Sequence, residues 1–320
     1  LFPYATLFRS AVIDGAPTGR SQLRVVGLCS LIALLDGFDI QAMGLVLPSL
    51  AQDWSVPVSQ LSPILSIGFL GIIIGMLTLG TLGDRYGRRA MLLVSFALVG
   101  VFSIAAAFCT TRETMMAARF LVGLGIGGCL PNATALTTEY VPRKRVALFV
   151  SLMYAAVPLG GLVAGLLSGY LLARFGWASV FLTGGLLPLL LCVLIFVALP
   201  ESPAFLAARD SRDPRIGRIL QRIDPAYRAS PTDRFISAGG HGGERALLRD
   251  VVAEGRLVPT LLLCIIFFFS LAGMYLLTSW LPTLLTERGW PVRQATLSIS
   301  WFWLGGIAGG IAVGVLIDRY

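Results

Sequence analysis

Eight apolar runs, each about as long as a bilayer is thick, leave this chain little choice of architecture. They fall at about 24–47, 62–82, 90–109, 115–137, 147–172, 179–199, 258–281 and 296–317. Inside lipid every backbone N–H and C=O must be satisfied within the protein, so each run is expected as a spanning helix. Composition agrees. Of the residues, 56% are hydrophobic and 13% charged, about half the charged share of a soluble domain. The expected class is an all-α integral membrane protein whose first partner is the lipid bilayer.

One run breaks the apolar rule. Leu34-Leu35-Asp36-Gly37-Phe38-Asp39 places two carboxylates in the middle of the first span. On insertion scales each costs on the order of 2.5–3.5 kcal/mol at a helix centre. Three residues apart, Asp36 and Asp39 share one helix face and address one cavity. Such acids stand on a wet pathway or beside a partner charge, so both are candidates for proton coupling. A structural ion pair, or a carboxylate capping a broken helix, is the competing account. Arg119 lies about one turn inside the fourth span. Counting 1.5 Å per residue, its depth is within an arginine's reach of Asp39, about eight residues below the outer end of the first span. We expect these two to face each other; snorkelling of Arg119 to the interface is the alternative.

The remaining charges set orientation. The net charge of +8 comes from arginines gathered in alternate loops, which is the positive-inside pattern and not a nucleic-acid surface. Arg85, Arg88 and Arg89 fill one loop, and Arg143, Lys144 and Arg145 another. Arg209, Arg212, Arg215, Arg218, Arg222 and Arg228 lie in 200–257. These loops and the N-terminus are expected on the cytoplasmic side. Five cysteines in or beside apolar runs show no paired spacing and read as small buried residues. The single histidine, His241, sits in a Gly-rich polar stretch. Neither a metal site nor a catalytic site is expected.

A repeat organises the whole. Shift the chain by 234 residues and Pro48 falls on Pro282, Pro57-Val58-x-Gln60 on Pro291-Val292-x-Gln294, and Gly71, Gly75 and Gly80 on Gly305, Gly309 and Gly314. Leu82-x-Asp84-Arg85-Tyr86 falls on Leu316-x-Asp318-Arg319-Tyr320. The second part therefore restarts the first after six spans, as in transporters built from duplicated six-helix halves. The expected division is a first half at 1–199, a connecting loop at 200–257 and the start of a second half at 258–320. Leu1 is not an initiator Met and the copy stops inside the motif, so we expect a fragment carrying about eight of twelve spans.

Four further features carry chemistry. The loop Gly80-Thr81-Leu82-Gly83-Asp84-Arg85-Tyr86-Gly87-Arg88-Arg89 combines tight-turn glycines with an acid that can pair with arginine or a helix N-terminus. It reads as a conformational latch, with Glu139 beside it and Asp318 and Arg319 as its partial copy. The run Gly123-x-Gly125-x-Gly127-Gly128 lies inside a span and follows no strand, so it is read as close helix packing, not a nucleotide site. Asn132 is a candidate polar contact to substrate, with packing as the alternative. Tyr154 and Tyr275, nearer mid-membrane than the interfacial tryptophans, are the aromatic candidates.

The loop 80–89, its copy at 314–320, Arg119 with the glycine run, and Pro200-Glu201-Ser202-Pro203 resemble the major facilitator superfamily. Asp36-Gly37-Phe38-Asp39, Leu130-Pro131-Asn132-Ala133 and Tyr275-Leu276-Leu277-x-x-Trp280-Leu281-Pro282 are similar to the aromatic acid:proton symporters within it. That resemblance implies the major facilitator fold, import of benzoates and related acids, no cofactor beyond the coupling proton, and a bacterial inner-membrane location. It also implies roles: Asp36 and Asp39 for the proton, and Arg119 for the substrate carboxylate or the deprotonated acid. Ala90, where a third basic residue often ends the loop, and Val157-Pro158-Leu159-Gly160-Gly161 depart from the family pattern. The alternatives are a sugar or other organic-anion porter, and a membrane enzyme or receptor. A monomer is expected.

Overall fold

The computed structural model describes residues 5–7, 12–16, 18–228, 234–236, 257–289 and 292–319. The apolar runs become eight long helical stretches. They are α1 (Arg20–Asp53), α2 (Val58–Gly75) continued through a π-helical turn at Met76–Gly80 into α3 (Thr81–Tyr86), α4 (Arg88–Ala106), and α5 (Arg112–Tyr140). After a 3-10 turn at Arg143–Arg145 come α6 (Val146–Tyr154), α7 (Ala156–Phe175) and α8 (Trp177–Ala198). Two short helices follow, α9 (Pro203–Arg209) and α10 (Pro214–Ile223), and then α11 (Leu257–Glu287) and α12 (Val292–Arg319).

Among the described residues, seven helices are long and apolar enough to cross a membrane. The eighth long helix, α1, is not one of these; it carries Arg20, Arg24, Asp36, Asp39 and Asp53 along 34 residues. The fifth run divides at Ala155. Pro158 has no N–H to give the carbonyl of Tyr154, and its ring crowds that carbonyl, so α6 stops there and α7 starts afresh.

The chain forms two compact units, Leu1–Gly240 with Gly309–Tyr320, and His241–Ala308. In the first, α1 packs against α7, α5 and α8, and α5 packs between α2 and α4. The α1–α7 contact is backbone on backbone. A Cβ on Gly37 would run into the carbonyl of Val157, and one on Gly160 into the carbonyl of Leu34. Gly123 and Gly127 face the carbonyls of Gly68 and Ile72 on α2, while Gly125 faces that of Ser95 on α4. The glycine run therefore serves helix packing on two sides. We expect Gly160→Leu to force α1 and α7 apart at a cost of about 1–3 kcal/mol. A lower unfolding temperature of the full-length protein in detergent checks it, with Leu166→Ala on the exposed face of α7 as control.

The 200–228 segment is folded onto the first unit. Ser202 and Asp213 cap α9 and α10, each followed by proline at the first helical position. The hydrogen-bonded Arg215 side chain holds the Asp213 carboxyl below the ordinary carboxylate range. On α10, Ile216, Ile219, Leu220 and Ile223 are buried while Arg215, Arg218 and Arg222 are exposed. Ser21 Oγ on α1 donates to the carbonyl of Arg222 at 2.8 Å.

One feature departs from an all-α reading. Strand β1 (Ala5–Leu7) pairs in parallel with β2 (Arg234–Ile236), and Phe235 is buried in the same apolar cluster as Val12 and Ile13. The cysteines are all free, but only Cys29 and Cys129 are buried, and Cys264 is exposed. The histidine at 241 lies outside the described residues.

Candidate functional site

The first span's two aspartates have different surroundings. Asp39 receives both arms of the Arg119 fork: Nη1 donates to Oδ1 at 3.3 Å and Nη2 to Oδ2 at 3.0 Å. Asp39 is 2% exposed and Arg119 5%, so the pair is dry. Such a pair is held by geometry more than by net stabilisation, and removing one member leaves a buried charge at a cost of about 3–5 kcal/mol. From α4, Ser103 Oγ donates to Asp39 Oδ1 at 3.4 Å. From α8, the Phe181 ring lies 5.9 Å below the Arg119 guanidinium carbon. Sequence reading missed both residues. Ser103 carries a weak signal, being a polar residue in the apolar run of α4, whereas Phe181 carries none.

Asp36 is buried to 4% exposure, and neither carboxylate oxygen has a hydrogen-bond partner among the described residues. Its helix neighbour Gly37 is the residue pressed against α7. One acid is thus fully engaged and the other is not.

Arg119 also borders a small cleft between α1, α2 and α5. The rest of its lining is apolar, including Ile40, Met43, Ile64, Phe69, Ile72 and Ile126. Its volume is about 30 Å³, against the roughly 150 Å³ of a cavity known to take benzene. The cleft is too small to hold a benzene ring in this structure.

The loop 80–89 forms a network with α5 and the segment after α8. Asp84 pairs with Arg88 at 2.6 Å, and Arg88 Nε donates to Glu139 Oε1 at 3.0 Å. The other oxygen of Glu139 accepts from the Ser202 hydroxyl. Glu201 Oε1 accepts from the Arg89 and Ser202 N–H groups at 3.1 and 2.9 Å, and Tyr140 donates to the Glu201 carbonyl at 2.8 Å. The Arg89 side chain donates to the carbonyl of Phe196. Gly87 turns the chain at φ +102°, a conformation other residues rarely adopt. Arg85 is exposed, with its guanidinium 5.3 Å from the Tyr86 ring. At the repeated position, Asp318 accepts from the N–H groups of Ala147 and Leu148 at 3.0 and 2.8 Å, capping α6.

The other candidates are placed apart from the Asp39–Arg119 pair. The Asn132 amide donates to the carbonyls of Leu79 and Gly128 at 3.0 and 2.8 Å, and Gly80 and Gly83 pack against Pro131 and Asn132. It ties α5 to the π-helical turn. Tyr154 is 42% exposed and shares a 3.1 Å hydrogen bond with Thr134. The side chains of Tyr275 and Arg319 lie outside the described residues. Among the described residues no group of His, Cys, Asp and Glu is placed to hold a metal ion.

With this geometry in hand, comparison decides the family: residues 29–320 match the Major Facilitator Superfamily model. The chain belongs to the major facilitator superfamily. Relatives within the superfamily include the 4-hydroxybenzoate transporter PcaK of Pseudomonas aeruginosa, 39% identical over 310 residues, 97% of this chain and 69% of that protein. The gallate transporter of Pseudomonas putida is 36% identical over 307 residues, 96% and 68% of the two chains. The 3-(3-hydroxy-phenyl)propionate transporter of Escherichia coli is 35% identical over 294 residues, 92% and 64%. Among solved major facilitator structures, the xylose transporter XylE from E. coli, in a partially occluded inward open conformation, matches with a TM-score of 0.57 at 20% identity. That match covers 64% of this chain and 54% of XylE, and it speaks for the fold alone. The chain spans about half the length of the solved structures it matches.

Proposed function

We propose that the full-length protein is a proton-coupled symporter for a small aromatic carboxylate, working by alternating access between two six-helix halves. In this reading 1–199 forms the first half, 200–257 connects the halves and 258–320 opens the second. The observation that carries it is the buried Asp39–Arg119 pair at the edge of an apolar cleft, with the unpartnered Asp36 one turn away. An arginine fork matches a carboxylate, and apolar walls match a ring. The names of the relatives, transporters of hydroxybenzoate, gallate and hydroxyphenylpropionate, point to the same chemistry.

The coupling follows from charge balance. While Asp39 is ionised it occupies Arg119. A proton entering by way of Asp36 and reaching Asp39 releases the guanidinium, which then takes the carboxylate of the incoming acid. Proton and anion cross together, so neither charge crosses the membrane unpaired. The Asp84–Arg88–Glu139–Ser202 network, with Arg89 and Glu201 beside it and Asp318 of α12 capping α6, is the inner latch that rearranges as the halves rock. The working unit is a monomer in a bacterial inner membrane, with the proton as its coupling ion.

The test is an uptake panel on the full-length protein in proteoliposomes with an imposed pH gradient. Labelled benzoate, 4-hydroxybenzoate, gallate and 3-(3-hydroxyphenyl)propionate are set against xylose. Accumulation of at least one aromatic acid, abolished by a protonophore, is the expected result. Uptake of xylose and of none of the acids overturns the reading in favour of a sugar porter.

Orientation has its own check. Arginine asymmetry places the N-terminus and the 200–257 segment in the cytoplasm. Reporter fusions at Arg20 and Ser230 are both expected to read cytoplasmic, and an external signal from either refutes this orientation.

A further inference from the structure

Arg119 is held by fewer contacts than its burial suggests. Its two terminal nitrogens are spent on Asp39, and its Nε has no hydrogen-bond partner among the described residues. Once Asp39 lets go, only packing keeps the guanidinium where a substrate can find it. One packing partner is the ring of Phe181, at 5.9 Å, within the range at which a ring face attracts a cation.

Phe181 is itself clamped. Trp177, one turn earlier on the same face of α8, meets it edge-on with centroids 6.1 Å apart, and Trp54 meets Trp177 at 6.3 Å. The Trp177 indole N–H donates to Asp53 Oδ2 at 2.9 Å, pinning this stack to the end of α1. Phe181 is 1% exposed, so the ring cannot swing away into solvent. A row of rings runs from the end of α1 to the guanidinium.

We propose that Phe181 is a positioning residue for Arg119. It holds the guanidinium in its carboxylate-facing orientation through the interval between release of Asp39 and arrival of the substrate. This rests on the reading above that Arg119 receives the substrate carboxylate. Without the ring, the freed arginine samples other rotamers, and productive binding falls by the fraction of time spent in them. The effect is therefore on apparent affinity, with turnover little changed.

The test replaces Phe181 in the full-length protein with 4-fluoro-, 3,5-difluoro- and 3,4,5-trifluorophenylalanine. Fluorination keeps the shape of the ring and drains the negative charge from its face, so folding is preserved. Uptake of labelled 4-hydroxybenzoate, or of the best acid from the panel, gives KM and Vmax. A graded rise in KM, reaching roughly 3- to 10-fold for the trifluoro ring, is expected, with Vmax within about twofold. Phe181→Leu should match or exceed the trifluoro value. A flat series in the wild-type background, alongside a raised KM for Arg119→Ala, overturns the role of Phe181 and leaves that of Arg119 standing. An unchanged KM for Arg119→Ala overturns both.

Discussion

Asp39→Asn is expected to bind its aromatic acid at least as tightly as the wild type and to lose uphill accumulation altogether. The amide is nearly isosteric with the carboxylic acid and carries no charge, so it imitates the protonated state permanently. Arg119 keeps a hydrogen-bond acceptor but no longer has a counter-charge competing with the substrate carboxylate. Binding measured by calorimetry should therefore hold or strengthen. Uptake driven by an imposed pH gradient should drop to the level of passive exchange, because the variant has no acid left at this position to gain and lose a proton. Accumulation with wild-type pH dependence would remove Asp39 from the coupling step and leave Asp36 as the candidate. Asp36→Asn makes the natural companion. No described partner depends on its charge, so stability should change little while the response to pH is blunted.

Arg119→Ala is expected to have the opposite profile, and the larger one. The substrate loses a bidentate partner, and each hydrogen bond to a charged group is worth about 1.5–3 kcal/mol. Even the lower value for both arms corresponds to a loss of affinity of roughly 100-fold. Stability falls as well, since Asp39 is left buried without a counter-ion at a cost of about 3–5 kcal/mol. The two losses can be separated. Arg119→Ala combined with Asp39→Asn removes the orphan charge, so the unfolding temperature should recover while binding stays lost. If the double variant recovers both, Arg119 serves the fold and not the substrate.

The helical layout was legible because a bilayer imposes one length and one backbone solution on every apolar run. The Asp39–Arg119 pair was legible for a related reason: counting residues along two regular helices gives depth. Where helices are irregular, counting fails. The break between α6 and α7 follows from Pro158, but the π-helical turn at Met76–Gly80 leaves no comparable mark in its residues. Residues brought in by packing were also hidden. Phe181 belongs to an apolar run like any other, and only its place beside Arg119 distinguishes it. Asn132 shows only half its chemistry in the sequence: its amide nitrogen donates to two backbone carbonyls, while its Oδ1 is buried without a hydrogen-bond partner among the described residues. The β1–β2 pairing joins residues 5–7 to 234–236, a separation over which no local pattern operates.

The π-helical turn also sets the rotational phase of everything beyond it. A regular helix advances about 100° per residue, so Gly83, eight residues after Gly75, would sit roughly 80° round from it. The turn absorbs one extra residue, which returns Gly83 to within about 20° of Gly75. Both glycines consequently meet the same helix, Gly75 at Leu124 and Gly83 at Asn132 of α5. A helix without this dislocation would peel away from α5 after Gly75 and carry Asp84 to a different azimuth, out of line with Arg88 at the start of α4. The extra residue works as a phase corrector: it keeps one seam between two helices continuous from the cleft beside Arg119 to the charged loop.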